Sequence, residues 1–436
     1  MQRFGLLLIL TAVCGRAGAG PDLPAQLTLR QALDIALSNS INIRTAIAHL
    51  EQASGVYEQS RSALLPQLNV AMFQSERTID FLGIGLDIPS SPGRVGPFGS
   101  MDARLYLTQD LLNLASVRAW QSSRAARNAS MLLVSNAREF VVLTVVSAYL
   151  DALKAKMRRT TLASQVALAE ELYNITRDRV SQGIAAELDA NRAMQQVNAL
   201  RQEWQEAEQS YITAKLNLAN ILQAHITSDF EVADDAAYGT EMALNRNFAI
   251  QTALASRADY RSAAESVKAA ELKVRSIRAS RLPVVGLRAN DGQSGNTPVN
   301  NVNTWTIQGV ITFPVFTSGL IGGEIEEAEG ELREAATALD QERSQIETDV
   351  LASISGVEWA LKEVQTSEGN VKLSRQEVEL ARSRFTQGIA DNTEVVNAQD
   401  RLEKADEAHI RALFALGLAR ANLARATGGA EKTYRR

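Results

Sequence analysis

The sequence predicts a mostly α chain that carries a pair of membrane β-hairpins, and three observations predict it. The chain repeats itself once along its length. Each copy contains a run of about seventy residues that keeps helical periodicity without a proline, and each places short stretches of alternating polar and apolar residues ahead of that run. Composition agrees: nine prolines in 436 residues, 5% aromatics and long tracts rich in Ala, Leu, Glu, Gln and Arg favour extended helix over a layered globular fold.

At the start, Gln2 and Arg3 precede a mainly apolar run from Phe4 to Val13, and Ala17-Gly18-Ala19 supplies a small-x-small cleavage pattern. This predicts a signal peptide over 1–19 and a mature chain from about Gly20. Cys14, the one cysteine, lies inside that leader, so cleavage there leaves no disulfide, thiolate metal site or thiol nucleophile. Cleavage just before Cys14, with lipidation of that residue, is the alternative. No later segment offers about 18 uninterrupted apolar residues, so no transmembrane helix is expected. A net charge of -5 points neither to nucleic acid nor to a polybasic membrane anchor.

The duplication is read from matched residues. Ala36-Leu37 recurs as Ala253-Leu254, Arg61 as Arg278 and Leu65-Pro66 as Leu282-Pro283, each 217 residues on. Later, Gln182-Gly183-Ile184-Ala185 recurs as Gln387-Gly388-Ile389-Ala390 and Asn217-Leu218-Ala219 as Asn422-Leu423-Ala424, each 205 residues on. Most of the slip falls between Pro66 and about Leu107, where Pro89, Pro92, Gly93 and Gly96-Pro97 supply loop chemistry. Exposed loop tips tolerate insertions, so the slip marks the outermost loop of the unit.

Within one unit, apolar residues at helical spacing from about Thr28 to Leu65 stop at Pro66, which ends a helix. Leu68, Val70 and Met72 then alternate with Gln67, Asn69 and Ala71, and Ala103, Leu105 and Leu107 with Asp102, Arg104, Tyr106 and Thr108. In the second copy Trp305, Ile307, Ile311 and Phe313 share one face while Thr304, Thr306, Gln308 and Thr312 share the other. Such a strand suits a barrel with lipid outside and water inside; a soluble sandwich edge is the alternative. The rods that follow would be roughly 105 Å long at 1.5 Å per residue and cannot bury an apolar face alone, so they belong in a bundle or coiled coil. Gly183 and Gly388 break them into αα-hairpin tips. The first copy thus spans 20–235, with a helix, a β-hairpin over 67–111, a long helix over 112–182, a tip and a helix over 186–223. The second spans 236–436, with a helix, a β-hairpin over 284–316, a long helix over 317–387, a tip and a helix over 391–427.

On these residues the chain resembles the outer membrane efflux protein family typified by TolC. The match covers nearly the whole mature chain: the Leu-Pro before each first strand, Ile311-Thr312-Phe313-Pro314-Val315-Phe316 with Gly319, both Gln-Gly tips, and Ala421-Asn422-Leu423-Ala424 with Thr427-Gly428. The first copy departs at Gln109-Asp110-Leu111-Leu112, which lacks the proline and glycine of its twin. The resemblance implies a homotrimeric channel-tunnel in the outer membrane of a Gram-negative bacterium. Each protomer would give four strands to a 12-stranded β-barrel continuous with a long periplasmic α-helical barrel. Four strands are too few to close a barrel with a lumen, so the residue-level reading also requires several chains. The implied partners are outer-membrane lipid, a periplasmic adaptor and an inner-membrane transporter, in a tripartite efflux or type I secretion system.

The resemblance places the periplasmic entrance at the two tips, where Glu187, Asp189, Asp391 and Glu394 follow Gly183 and Gly388. Asp189 and Glu394 are equivalent, so a trimer would carry a ring of six carboxylates. The alternative is that acids early in a helix only complement its dipole. Arg177 and Arg179 recur as Arg382 and Arg384 just before the tips, placed to pair with those acids and hold the entrance shut. Asn397 and Ala390 lack the charge some relatives carry there. Trp305, at the start of an apolar face, is the candidate membrane-interface anchor.

No cofactor is expected and the chain does not read as an enzyme: His49, His225 and His409 are scattered, and there is no phosphate loop or nucleophile elbow. The rival readings are a periplasmic adaptor, which would show one hairpin flanked by β-rich modules, and a soluble coiled-coil scaffold, which would lack lipid-compatible strands.

Overall fold

The computed structural model of the chain describes residues 23–80, 83, 85, 94–225, 230–233 and 245–435. The expected signal peptide with Cys14, and the part of the outer loop holding Pro89 and Pro92, lie outside the described residues. In chain order the elements are β1 (Gln26–Leu27), α1 (Leu29–Asn39), α2 (Ile41–Ser62), β2 (Gln67–Asp80), β3 (Arg94–Leu112), α3 (Leu114–Ser181) and α4 (Glu187–Ile221). There follow β4 (Glu231–Val232), α5 (Arg246–Ser256), α6 (Ala258–Ala279), β5 (Val284–Gly295), β6 (Asn301–Thr312), α7 (Leu320–Thr386), α8 (Asn392–Ala426) and α9 (Ala430–Tyr434).

The single helix expected from Thr28 to Leu65 is two. Ser40, with ψ 130°, leaves the helical region between α1 and α2, and Arg257, with ψ 126°, does the same between α5 and α6. The two breaks stand 217 residues apart, so they belong to the repeat. Periodicity alone missed them because one extended residue barely disturbs the apolar spacing. The second hairpin stops at Thr312 rather than 316, because Pro314 has no N–H to offer a ladder. Ser318 (φ 48°) and Gly319 (φ 87°) then turn left-handed, which delays α7 from 317 to Leu320. The first copy uses a different device. Strand β3 continues to Leu112 with an irregularity between Asp110 and Leu112, and the Asn113 carboxamide oxygen accepts from the Ser116 N–H at 3.0 Å, capping α3.

Contacts divide the chain into two compact units, each drawing on both copies of the repeat. The first comprises the described residues within 1–43, 138–249 and 349–436. Its core joins Leu33 and Leu37 of α1 to Val142, Val145, Val146 and Tyr149 of α3, Tyr211 and Leu218 of α4, and Ile410 and Phe414 of α8. Of the described helices α3 alone holds an 18-residue window apolar enough, by length and composition, to cross a membrane. Val142 and Val145 of that helix are packed in this core.

Strands β1 and β4 pair in parallel, Leu27 opposite Val232, and the fully buried Tyr149 hydroxyl lies 3.0 Å from the Leu27 carbonyl and 2.8 Å from that of Ala233. Tyr149→Phe should therefore remove the one hydroxyl hydrogen these two carbonyls share, while the Leu27 carbonyl keeps its bond from the Ala233 N–H at 3.0 Å. A loss of about 1–2 kcal/mol is expected, read as a lowered thermal midpoint in detergent.

The second unit comprises the described residues within 44–137 and 250–348. Here α3 and α6 run antiparallel and are stitched at heptad spacing. Ser276 donates to the Ala115 carbonyl at 2.8 Å, Ser122 to Ala269 at 2.7 Å and Ser262 to Ala129 at 2.9 Å. Only Ser and Ala occupy these six positions, and their small size lets the two backbones approach closely enough for a hydroxyl to bridge them. The same unit holds one antiparallel sheet in the order β2-β3-β5-β6.

Candidate functional site

The sheet's register sorts its side chains onto two faces, because residues directly opposite in an antiparallel pair point the same way. One cross-strand row is Val70, Leu105, Asp291 and Trp305, and the next is Leu68, Leu107, Ala289 and Ile307. Apart from Asp291 these two rows are apolar, and in the row beyond, Met72, Ala103, Gln293 and Asn303, the β5 and β6 members turn polar. Val70, Trp305, Ile307 and Ile311 are all exposed here. The opposite face carries the rows Gln67, Thr108, Arg288, Gln308 and Asn69, Tyr106, Asn290, Thr306. On it Arg104 holds Asp102 at 2.7 Å and donates to the Asn290 side chain at 3.0 Å, and Arg288 lies 3.7 Å from Asp110. One face thus suits hydrocarbon and the other water.

Strands β2 and β6 each have a neighbour on one side only within the described sheet, so both edges of the chain's sheet are open.

The two tips are built alike. Gly183 (φ 73°) and Gly388 (φ 74°) adopt the left-handed conformation that closes a helix. The Ile184 N–H donates to the Arg179 carbonyl at 2.9 Å, as Ile389 does to Arg384 at 2.9 Å. Beyond the glycines the copies part. Asp391 caps α8, accepting from the Glu394 N–H at 3.1 Å, whereas Ala186 stands at the equivalent place and the Asp189 carboxylate reaches back to the Ala186 N–H at 3.3 Å. Glu187 and Asp189 lie in the first turn of α4, and Glu394 in that of α8. Capping and dipole complementation therefore account for part of this acidic cluster.

Of the four expected arginines, one pairs with a tip acid: Arg384 lies 3.0 Å from Glu394. Arg382 reaches from α7 to Glu171 of α3 at 2.6 Å instead. Arg179, on α3, donates to the Phe385 carbonyl at 2.7 Å with its guanidinium 4.6 Å from the centre of the Phe385 ring, so it spans from one tip to the other. Arg177 is exposed. Asp189 stands 4.0 Å from Arg192.

The sequence reading missed the residues that join α4 to α8. The Asn392 side chain, almost fully buried, donates to the Asp189 carbonyl at 3.0 Å, and Arg192 approaches the Thr393 hydroxyl at 3.5 Å. Asn392 follows an N-cap aspartate, where a buried amide has no pattern to announce it. Phe385 was discoverable, since its twin is Val180 and an aromatic breaks the symmetry between the tips.

Residues 32–223 and 249–429 match the family described as outer membrane efflux protein. The toluene efflux pump outer membrane protein TtgC of Pseudomonas putida is 22% identical over 92% of this chain and 83% of its own length. The pyoverdine export outer membrane protein OpmQ of the same species is 24% identical over 95% of this chain and 87% of its own. Among solved structures, the outer membrane protein VceC of Vibrio cholerae superimposes with a TM-score of 0.80 at 18% identity, covering 92% of this chain and 96% of that one.

Proposed function

The chain belongs to the outer membrane efflux protein family, and on that premise we propose that three copies close one barrel and tunnel whose entrance is gated at the helical tips. It is an outer-membrane efflux channel with the fold of the TolC-like channel-tunnels. The observation that carries the trimer is the four-stranded sheet with two open edges, one apolar face and one polar face. Pairing β6 of one copy with β2 of the next satisfies both edges, and three copies give about twelve strands, a ring wide enough for a water-filled lumen. Trp305 then sits where the apolar face gives way to polar residues, as an interfacial anchor does.

The tips form the entrance in this reading. Glu187, Asp189, Asp391 and Glu394 ring it with negative charge, while Arg179, Arg384 and Arg382 hold the hairpins together; Arg177 adds exposed positive charge. The duct is passive and serves an inner-membrane transporter through a periplasmic adaptor docked at the tips, in an efflux or type I secretion assembly. Relatives named for toluene and for pyoverdine share this fold, consistent with a water-lined wall that carries little cargo chemistry of its own. The decisive experiment combines chemical crosslinking of the mature protein in detergent with planar-bilayer recording. A three-chain product that conducts is expected. A monomer in the soluble periplasm, silent in bilayers, would sink the reading.

A further inference from the structure

The face of the sheet that the channel reading turns to water carries more arginine than acid. Within the regular register that ends at Arg77, it holds Arg77, Arg104 and Arg288 against Asp102 and Asp110. The whole chain has a net charge of -5, so this excess of cations is local. The arginines are not equivalent. Arg104 is 16% exposed, holds Asp102 at 2.7 Å and gives a further N–H to the Asn290 side chain at 3.0 Å, which leaves it little to offer a solute.

Arg288 is 44% exposed and stands 3.7 Å from one oxygen of Asp110, too far for a hydrogen bond. The other oxygen of that carboxylate accepts from the Asn113 side chain at 3.0 Å. Both side chains lie over Gly286, where a Cβ would stand 3.3 Å from the carboxylate and 3.7 Å from the guanidinium, so the glycine keeps that space clear. Directly across from Arg288 stand Thr108 of β3 and Gln308 of β6, a hydroxyl and an amide on the same face. A guanidinium offers five N–H donors in a planar fork that matches two oxygens of a phosphate or carboxylate. Here that fork is loosely held, exposed and flanked by neutral donors.

From this geometry we propose that Arg288, with Thr108 and Gln308, forms an anion-binding site on the lumen wall of the barrel that takes solutes bearing phosphate or carboxylate groups. The inference rests on the channel reading above, in which threefold symmetry sets three such guanidinium groups at one level. An arriving anion breaks no hydrogen bond to Arg288 from Asp110. Asp110 stays beside the site as an internal competitor, which keeps binding weak enough for the anion to leave again. Arg288→Gln removes the charge and should lose the site, whereas Arg288→Lys keeps the charge without the fork. Asp110→Asn removes the competing charge while keeping an acceptor for Asn113, and should strengthen binding.

The test adds tripolyphosphate to purified channels in planar bilayers and reads the concentration that halves the current. The unaltered channel should be blocked in proportion to dose. Loss of a charged hydrogen-bonding group should raise the half-blocking concentration at least about tenfold in Arg288→Gln, with Arg288→Lys between the two. Asp110→Asn should lower it at least about threefold, since a nearby like charge no longer opposes the anion. An unaltered channel that tripolyphosphate does not block, or one blocked no more readily than Arg288→Gln, overturns the site. Where Arg288→Gln fails to assemble, Arg288→Lys and Asp110→Asn carry the comparison, and block equal to the parent in both overturns it. Channels silent without tripolyphosphate defeat the channel reading, and titration calorimetry of tripolyphosphate into the same detergent-purified protein then decides the site by itself. Binding heat that Arg288→Gln abolishes upholds it; heat absent from the parent or unchanged in the variant overturns it.

Discussion

Ile307→Arg should abolish assembly in the outer membrane, whereas Thr306→Arg, one residue away, should assemble normally and change only conduction. Ile307 shares its row with Leu68, Leu107 and Ala289 on the apolar face. A guanidinium on the lipid face of a barrel costs roughly 2–4 kcal/mol near the midplane. In the proposed trimer three such charges would share one ring, a total of about 6–12 kcal/mol that rivals the entire margin by which a protein stays folded. Thr306 shares its row with Asn69, Tyr106 and Asn290, on the face that already carries Arg104 and Asp102. An added arginine there meets water and neighbouring acid, and in the proposed trimer would add three positive charges to the lumen wall. Outer-membrane fractionation with heat-stable oligomer on gels reads the first effect, and single-channel conductance the second. Equal behaviour of the two variants would overturn the assignment of the faces.

That contrast was legible before any coordinates, because alternation over 304–313 is a local property that the register of a strand preserves. The helix stops at Pro66 and Pro283 and the tips at Gly183 and Gly388 were legible for the same reason: each depends on one residue's own backbone. What stayed hidden depends on packing between distant segments. Arg382 and Arg384 lie two residues apart on one helix and therefore point to different neighbours, Glu171 of α3 and Glu394 of α8, which no spacing within α7 distinguishes. The two-residue strands β1 and β4 are too short for any alternation, and they pair across about two hundred residues of chain.

Arg179→Ala should shift the tips toward the open state by far more than Glu394→Ala, although the sequence ranks the two positions alike. The Arg179 guanidinium is only partly exposed, and it does two things at once: it donates to the Phe385 carbonyl at 2.7 Å, among the last carbonyls of α7, and it packs 4.6 Å from the centre of the Phe385 ring. A charged hydrogen bond contributes about 1.5–3 kcal/mol, and a cation over an aromatic ring about 0.5–1 kcal/mol at a site open to water. Discounted for the solvent that still reaches the guanidinium, their sum is about 2 kcal/mol per chain, or roughly a thirtyfold change in an equilibrium. Glu394 and Arg384 are 42% and 53% exposed, and an ion pair so open to water contributes under about 1 kcal/mol. The asymmetry follows from the repeat itself. Arg384 is the twin of Arg179, but the twin of Phe385 is Val180, which has no ring for Arg384 to cover, so Arg384 turns to the acid of its own tip. Open fraction in planar bilayers should therefore rise about tenfold or more for Arg179→Ala and at most a few-fold for Glu394→Ala. Arg179→Lys should recover little, because an ammonium cannot cover the ring in the same planar way. If Glu394→Ala opens the channel as far as Arg179→Ala does, the acidic ring rather than the bridge between tips is what keeps the entrance closed.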